Sequence, residues 1–116
     1  MRHKKDHRKL NRTPAHRQAL MRNLTRALIL HGRIETTVPK AKELKRFTDR
    51  LVSIAKKGPN ASYNTVMKKI PQKDVCKKLY EDIVPRYMDR NGGYVRVVRT
   101  TRRKGDNAEL AIIEFV

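Results

Sequence analysis

The first thirteen residues, MRHKKDHRKLNRT, hold two apolar side chains, Met1 and Leu10, against six permanent cations, Arg2, Lys4, Lys5, Arg8, Lys9 and Arg12. His3 and His7 add charge when protonated. Such a segment has too little apolar area to offset the entropy of ordering it, and unpaired cations are almost never buried. The core must therefore be built from residues 14–116. The sequence divides into a basic N-terminal extension, 1–13, that looks for a partner outside its own domain, and one domain, 14–116, the size of an ordinary folding unit.

The identity of that partner follows from charge. Lys and Arg number 29 against 11 Asp and Glu in 116 residues, a formal net charge of +18. A compact domain so charged repels itself until a polyanion neutralises it, and nucleic acid is the commonest polyanion. Not one acidic residue stands from His7 to Ile34, whereas Arg8, Lys9, Arg12, Arg17, Arg22, Arg26 and Arg33 all do. A merely soluble surface mixes its signs. Arginine's planar fork also suits phosphate and stacks on exposed bases. A second cluster, Arg96, Arg99, Arg102, Arg103 and Lys104, falls near the C-terminus. Its blander explanation is an edge strand protected by charge.

Along the chain, Thr13 and Pro14 form a helix start signal, cap followed by first-turn proline. Leu20, Leu24, Ala27, Leu28 and His31 recur at three- and four-residue spacing up to Gly32, a natural stop. RIETTV, 33–38, is β-branched and ends at Pro39, so it reads as a short strand. Pro39 opens a second helix with Ala41, Leu44, Phe47, Thr48, Leu51 and Ala55 as its inner stripe, broken by Gly58-Pro59. A short third helix lies in 61–70 and a fourth in 72–90, where Pro85 should kink or end it. YVRVVRT and ELAIIEFV are two strands joined by TRRKGDN, whose Gly105-Asp106-Asn107 can supply positive-φ turn positions. On the last strand Ala111, Ile113 and Phe115 share one face. The order α-β-α-α-α-β-β fits a two-layer α+β domain, a small three-stranded mixed sheet packed on helices.

Signatures of catalysis are missing. The five glycines make neither a phosphate-cradling loop nor a dinucleotide fingerprint, and Ser53 and Ser62 stand in no nucleophile-elbow context. Glu81 and Asp82 are adjacent, so a helix points them in different directions. His3 and His7 have the spacing of paired ligands, but only Asp6 is near as a third, and no metal or other cofactor is expected. His16 and His31 are read as packed or phosphate-facing. Cys76 cannot form an intrachain disulfide on its own, which suits a reducing compartment, and a buried structural thiol is its default role. No apolar run approaches a membrane span, no secretory signal opens the chain, and no small-molecule substrate is implied. Aromatic residues are 5% of the chain, too few for a base-stacking platform, so charge and backbone contacts should dominate over base reading.

Several stretches in order, MRH, KLNR, HRQAL, HGRIETTVPKAKEL, NGGYVRVVR and RRKGDNA, resemble one family over nearly the whole chain: the bacterial-type large-subunit ribosomal protein seventeen. The resemblance implies an α+β protein that binds large-subunit ribosomal RNA on the solvent side, toward the peptide exit region, among neighbouring large-subunit ribosomal proteins. It implies that Arg2, His3, Arg8, Asn11, Arg12 and Arg17 stand at positions that meet RNA, and that Arg96 and Gly105 belong to the family's hairpin. Three departures stand out. The family often has Gly at His7 and Thr at Val95, and its third helix is usually Arg-rich, unlike GPNASYNTVMKKIPQ, so residues 58–72 are not counted among the RNA contacts.

The expectation is thus a structural ribosomal protein, not an enzyme, working in the ribosome of the cytoplasm or of an organelle. Its candidate RNA ligands are Arg2, His3, Lys4, Lys5, Arg8, Lys9, Asn11, Arg12, Arg17, Arg22, Arg96, Arg99, Arg102, Arg103 and Lys104. The extension is expected to be unfolded in isolation and to fold along RNA. The rival is a nucleoid-type DNA-binding protein, which would need a dimer interface or polar readers on a recognition helix. Helix one offers Gln18 and Asn23 as readers but no dimer signature.

Overall fold

A computed structural model describes residues 13–116. The expected extension, apart from Thr13, and with it Arg2, His3, Lys4, Lys5, Arg8, Lys9, Asn11 and Arg12, lies outside the described residues.

The elements follow the expected order: α1 Pro14–His31, β1 Arg33–Thr37, α2 Val38–Ala55, α3 Pro59–Lys69, α4 Lys73–Lys78, β2 Val95–Arg102 and β3 Glu109–Phe115. Helix α1 begins where the Thr13 hydroxyl accepts from the His16 N–H at 3.3 Å. It ends at Gly32, which takes φ 80° and donates its N–H back to Leu28 O, the left-handed stop that a side chain would resist. Strand β1 stops one residue earlier than its β-branched run, because Val38 already turns into α2 with Pro39 in the first turn. The fourth helix deforms ahead of Pro85. Residues Leu79–Ile83 widen to a π turn, with Val84 N–H reaching Leu79 O, and Val84–Tyr87 tighten to a 3₁₀ turn. Proline has no N–H to give and its ring crowds the carbonyl four residues back, so the ladder changes pitch there.

The sheet order is β1-β3-β2, and both pairings are antiparallel. The sheet is therefore not mixed, as the sequence led us to expect. Strands β1 and β2 do run the same way, but the last strand lies between them, so the parallel pair never touches. Ile34, Ile113 and Val97 stand opposite one another across the three strands, facing the helices. Arg33, Glu114 and Arg96 form the next row, on the other face.

Two apolar clusters fill the space between sheet and helices. One joins Ile29 of α1, Leu51, Val52 and Ala55 of α2, Val66, Ile70, Val75, Cys76, Leu79 and Tyr94. The other joins Met21 and Leu28 of α1, Val38, Ala41 and Leu44 of α2, and Val95, Ala111 and Ile113 of the sheet. Helix α2 feeds both, and Phe115 packs against both. The α1 stripe is rotated from its expected position. Met21, Thr25, Leu28 and Ile29 are buried, Leu20 and Leu24 only partly, and His31 is exposed. Thr25 can go inside because its hydroxyl donates to Met21 O at 2.7 Å, so no polar group is left unmet.

Candidate nucleic-acid interface

Helix α1 carries the first cationic surface. Its cap and proline set the phase in which Arg22 and Arg26 sit one turn apart on the same side. Arg26 is exposed and Arg22 half-buried, and neither has an ion-pair partner among the described residues. Arg17, also half-buried, lies one turn beyond the cap. Arg22 and Arg26, with no carboxylate beside them among the described residues, keep their whole forks for an external anion.

The β2–β3 hairpin is built differently, because its arginines are held by carboxylates. Arg96 Nε donates to Glu114 Oε1 at 2.9 Å, directly across the strands, and Arg33 approaches the other oxygen of Glu114 at 3.8 Å. Glu109 receives two arginines, Arg99 at 3.2 Å and Arg102 at 2.9 Å. They converge because the register slips between Arg99 and Arg102, a bulge that re-aims side chains near the tip. All of these arginines stand well out in solvent. Exposed pairs of this kind contribute about 0.2–1 kcal/mol, so they orient a guanidinium without monopolising it. Each guanidinium has five N–H donors, and Arg96 and Arg99 each spend one of theirs on a carboxylate.

The tip is tighter. Asp106 accepts from Arg103 at 2.6 and 3.1 Å, a two-pronged contact, and from the Ala108 N–H at 3.1 Å. Arg103 N–H donates to Ala108 O and Asn107 N–H to Arg103 O, which closes the turn. Gly105 takes φ 100° and Asn107 φ 58°, while Asp106, the third residue expected to offer positive φ, does not take it. The Arg103 hydrogen bond, helped by the Ala108 N–H, holds the Asp106 carboxyl down to about 2, and Asp106 in turn raises the Arg103 pKa. Lys104, at the tip and exposed, has no such carboxylate among the described residues.

A third basic group was not foreseen. Arg22 of α1 lines a cavity together with Lys68 and Lys69 of α3, so the third helix does present charge beside helix one. The residues missed, Phe47, Thr65, Lys68 and Lys69, with Gln18, weighed only as a DNA reader, come from three helices. Only their KK doublet could have flagged them. His16 and His31 are exposed rather than packed. Cys76 is buried, its thiol donating to Ile70 O at 3.2 Å, and burial, with Asp74 adding to it, pushes its pKa up, as for an inert structural thiol. Among the described residues no three or more His, Cys, Asp and Glu gather as a metal site, and no helix is long and apolar enough to cross a membrane.

Against this geometry stand the known proteins that the chain is similar to. The family described as Ribosomal protein L17 matches residues 20–116. The large ribosomal subunit protein bL17 of Campylobacter lari is 49% identical over 116 residues, covering 100% of this chain and 99% of its own length. The protein of the same name from Thermus thermophilus is 50% identical over 117 residues with the same coverage, and that of a Sulfurovum strain is 47% identical over 116 residues, end to end in both. A match of that length and identity, on an α+β domain with basic surfaces on its first helix and its terminal hairpin, makes this chain a member of the ribosomal protein L17 family.

Proposed function

We propose that the chain is a structural constituent of the large ribosomal subunit, in the ribosome of the cytoplasm, and that it binds large-subunit ribosomal RNA beside neighbouring ribosomal proteins. Three basic elements share the work. The extension contributes Arg2, His3, Lys4, Lys5, Arg8, Lys9, Asn11 and Arg12. Helix α1 contributes Arg17 and Arg22, joined by the exposed Arg26 one turn beyond Arg22. The hairpin contributes Arg96, Arg99, Arg102, Arg103 and Lys104. The observation that supports this most is the uninterrupted basic run from His7 to Ile34, in a chain of net charge +18 that belongs to a ribosomal protein family. The chemistry is neutralisation of phosphate with release of counterions, and no bond is made or broken.

The test is the salt dependence of filter binding to transcribed large-subunit ribosomal RNA. With roughly 6–10 phosphates met, affinity should fall about a thousandfold or more between about 50 and 200 mM salt. A flat response would contradict the proposal. Co-sedimentation separates it from the nucleoid alternative: the chain should travel with large subunits at low salt rather than spread over DNA.

A further inference from the structure

The cavity that brings Arg22 beside Lys68 and Lys69 is more than a patch of charge. It measures about 300 Å³ and is lined by Gln18 and Arg22 of α1, Phe47 of α2, and Thr65, Lys68 and Lys69 of α3. That volume lies at the lower end of ligand-binding cavities, about 300–1,000 Å³. Its lining holds three cations and no carboxylate, so an anionic occupant is favoured. It also holds one aromatic ring, an amide and a hydroxyl. Together these are the groups that bind a nucleotide: a flat face for the base, hydrogen-bonding groups for its edge, and cations for its phosphates.

The Phe47 ring is already used as a face. The Lys69 ammonium stands 5.6 Å from its centroid. Phe47 is only partly buried and packs against the Met21–Ala41–Ile113 cluster. A cation–π contact at an exposed site is weaker than the stacking of a base on an aromatic ring. A base entering the cavity therefore displaces the ammonium, and the flexible lysine stem lets it follow the phosphate that arrives with the base.

We propose that this cavity is a nucleotide pocket that takes one unstacked base of RNA against Phe47, with Arg22, Lys68 and Lys69 meeting the flanking phosphates and Gln18 and Thr65 the base edge. The pocket rests on the RNA binding proposed above and adds a single point at which a nucleotide is held by its base. It also gives the third helix a part in binding, through Thr65, Lys68 and Lys69.

The experiment uses the full chain and transcribed large-subunit ribosomal RNA. Phe47→Leu should weaken binding about fivefold or more, since it removes one stack, and should leave the salt slope unchanged, since it removes no charge. Phe47→Tyr keeps the stack and should bind like the parent. Ultraviolet cross-linking of the parent complex, followed by trypsin digestion, should leave a nucleotide on the peptide Phe47–Arg50. Millimolar AMP or UMP should not displace the RNA, because a mononucleotide brings only one of the phosphates. A folded Phe47→Leu protein that binds like the parent overturns the pocket while RNA binding stands. Absence of the Phe47–Arg50 adduct overturns it even if Phe47→Leu fails to fold. Displacement by AMP or UMP overturns it as an RNA site, and a parent that binds no ribosomal RNA removes the function beneath it.

Discussion

Arginine is used in two ways in this molecule. On α1, Arg22 and Arg26 stand without carboxylates among the described residues. On the hairpin, Arg96, Arg99, Arg102 and Arg103 each lean on an acidic residue of β3 or the turn. A helix stiffens its own backbone through its internal hydrogen bonds and can leave its cations free. A hairpin ends in solvent, and long side chains there would otherwise sample many rotamers. Carboxylates restrict them at the cost of part of the charge: residues 95–115 hold five cations against three acids. The helix thus offers charge, and the hairpin offers charge already placed. Substitutions on the helix should change RNA binding alone, and substitutions on the hairpin should change binding and fold together.

The largest effect should come from the free cations. Replacing Arg22 and Arg26 by Ala removes two charges, so the salt slope should flatten by roughly 1.4–1.8. Counterion release alone then weakens RNA binding about thirtyfold at about 0.1 M salt. The melting temperature should stay where it was, because surface changes that touch no cap or core are usually within about 0.5 kcal/mol. A clear loss of thermal stability in this double variant would break the comparison, since it would show α1 arginines bearing on the fold.

On the hairpin, Gly105→Val should act through backbone alone. A Cβ there would meet nothing within 4 Å, but φ is 100°, where a β-branched residue is strained by about 1–3 kcal/mol. Calorimetry should record a melting temperature lower by several degrees, and two-dimensional NMR should place the shifts in β2 and β3. If the variant melts like the parent, the turn does not set the hairpin.

Glu109→Gln sharpens the contrast further. It releases Arg99 and Arg102, at a cost of about 0.2–1 kcal/mol of stability for exposed pairs. RNA affinity should rise a few-fold and the salt slope should steepen, because a carboxylate that competes with phosphate is gone. A fall in affinity would mean that positioning by Glu109 matters more than the charge it cancels.

Much of this architecture is legible in the sequence because it is local. Thr13, Pro14 and Gly32 bracket α1 to the residue, and Gly105 and Asn107 mark the hairpin turn, since each element needs one conformation that few residues accept. What escaped was decided at a distance. The inner face of α1 turned toward Met21, Thr25 and Ile29 because Thr25 could satisfy its hydroxyl on its own helix, so polarity at that position did not mean exposure. Strand order could not be read because the β2–β3 hairpin has two free edges, one on each strand, and the packing of the helices between β1 and β2 decided which one β1 takes. The arginine–carboxylate pairs needed the register, which turns Glu114 toward Arg96 and a bulge toward Glu109. The charge of the extension and of α1 needed no fold to be seen. The cavity beside Phe47 needed three helices to be packed first.

The smallest effect is the cleanest test of placement by carboxylate. Asp106, fully exposed, is held to about 2 chiefly by its hydrogen bond from Arg103. A carboxyl whose folded pKa lies below its unfolded value of about 3.8 supports the fold fully above that value, and the support is lost as pH falls toward about 2. The thermal signature of one solvent-exposed group should be slight, so the readout is the carboxyl itself: the Asp106 side-chain carbon followed by NMR from about pH 5 to pH 1.5. In the parent its midpoint should lie near 2, and in Arg103→Ala it should move back toward 3.8 without reaching it, because the Ala108 N–H still donates to the carboxylate. RNA should raise the same midpoint, by less than Arg103→Ala does, since a phosphate drawing on Arg103 weakens the bond that depresses it. An Asp106 that titrates normally in the parent would mean that the tip arginine is as free as Arg22 and Arg26, and the two uses of arginine would reduce to one.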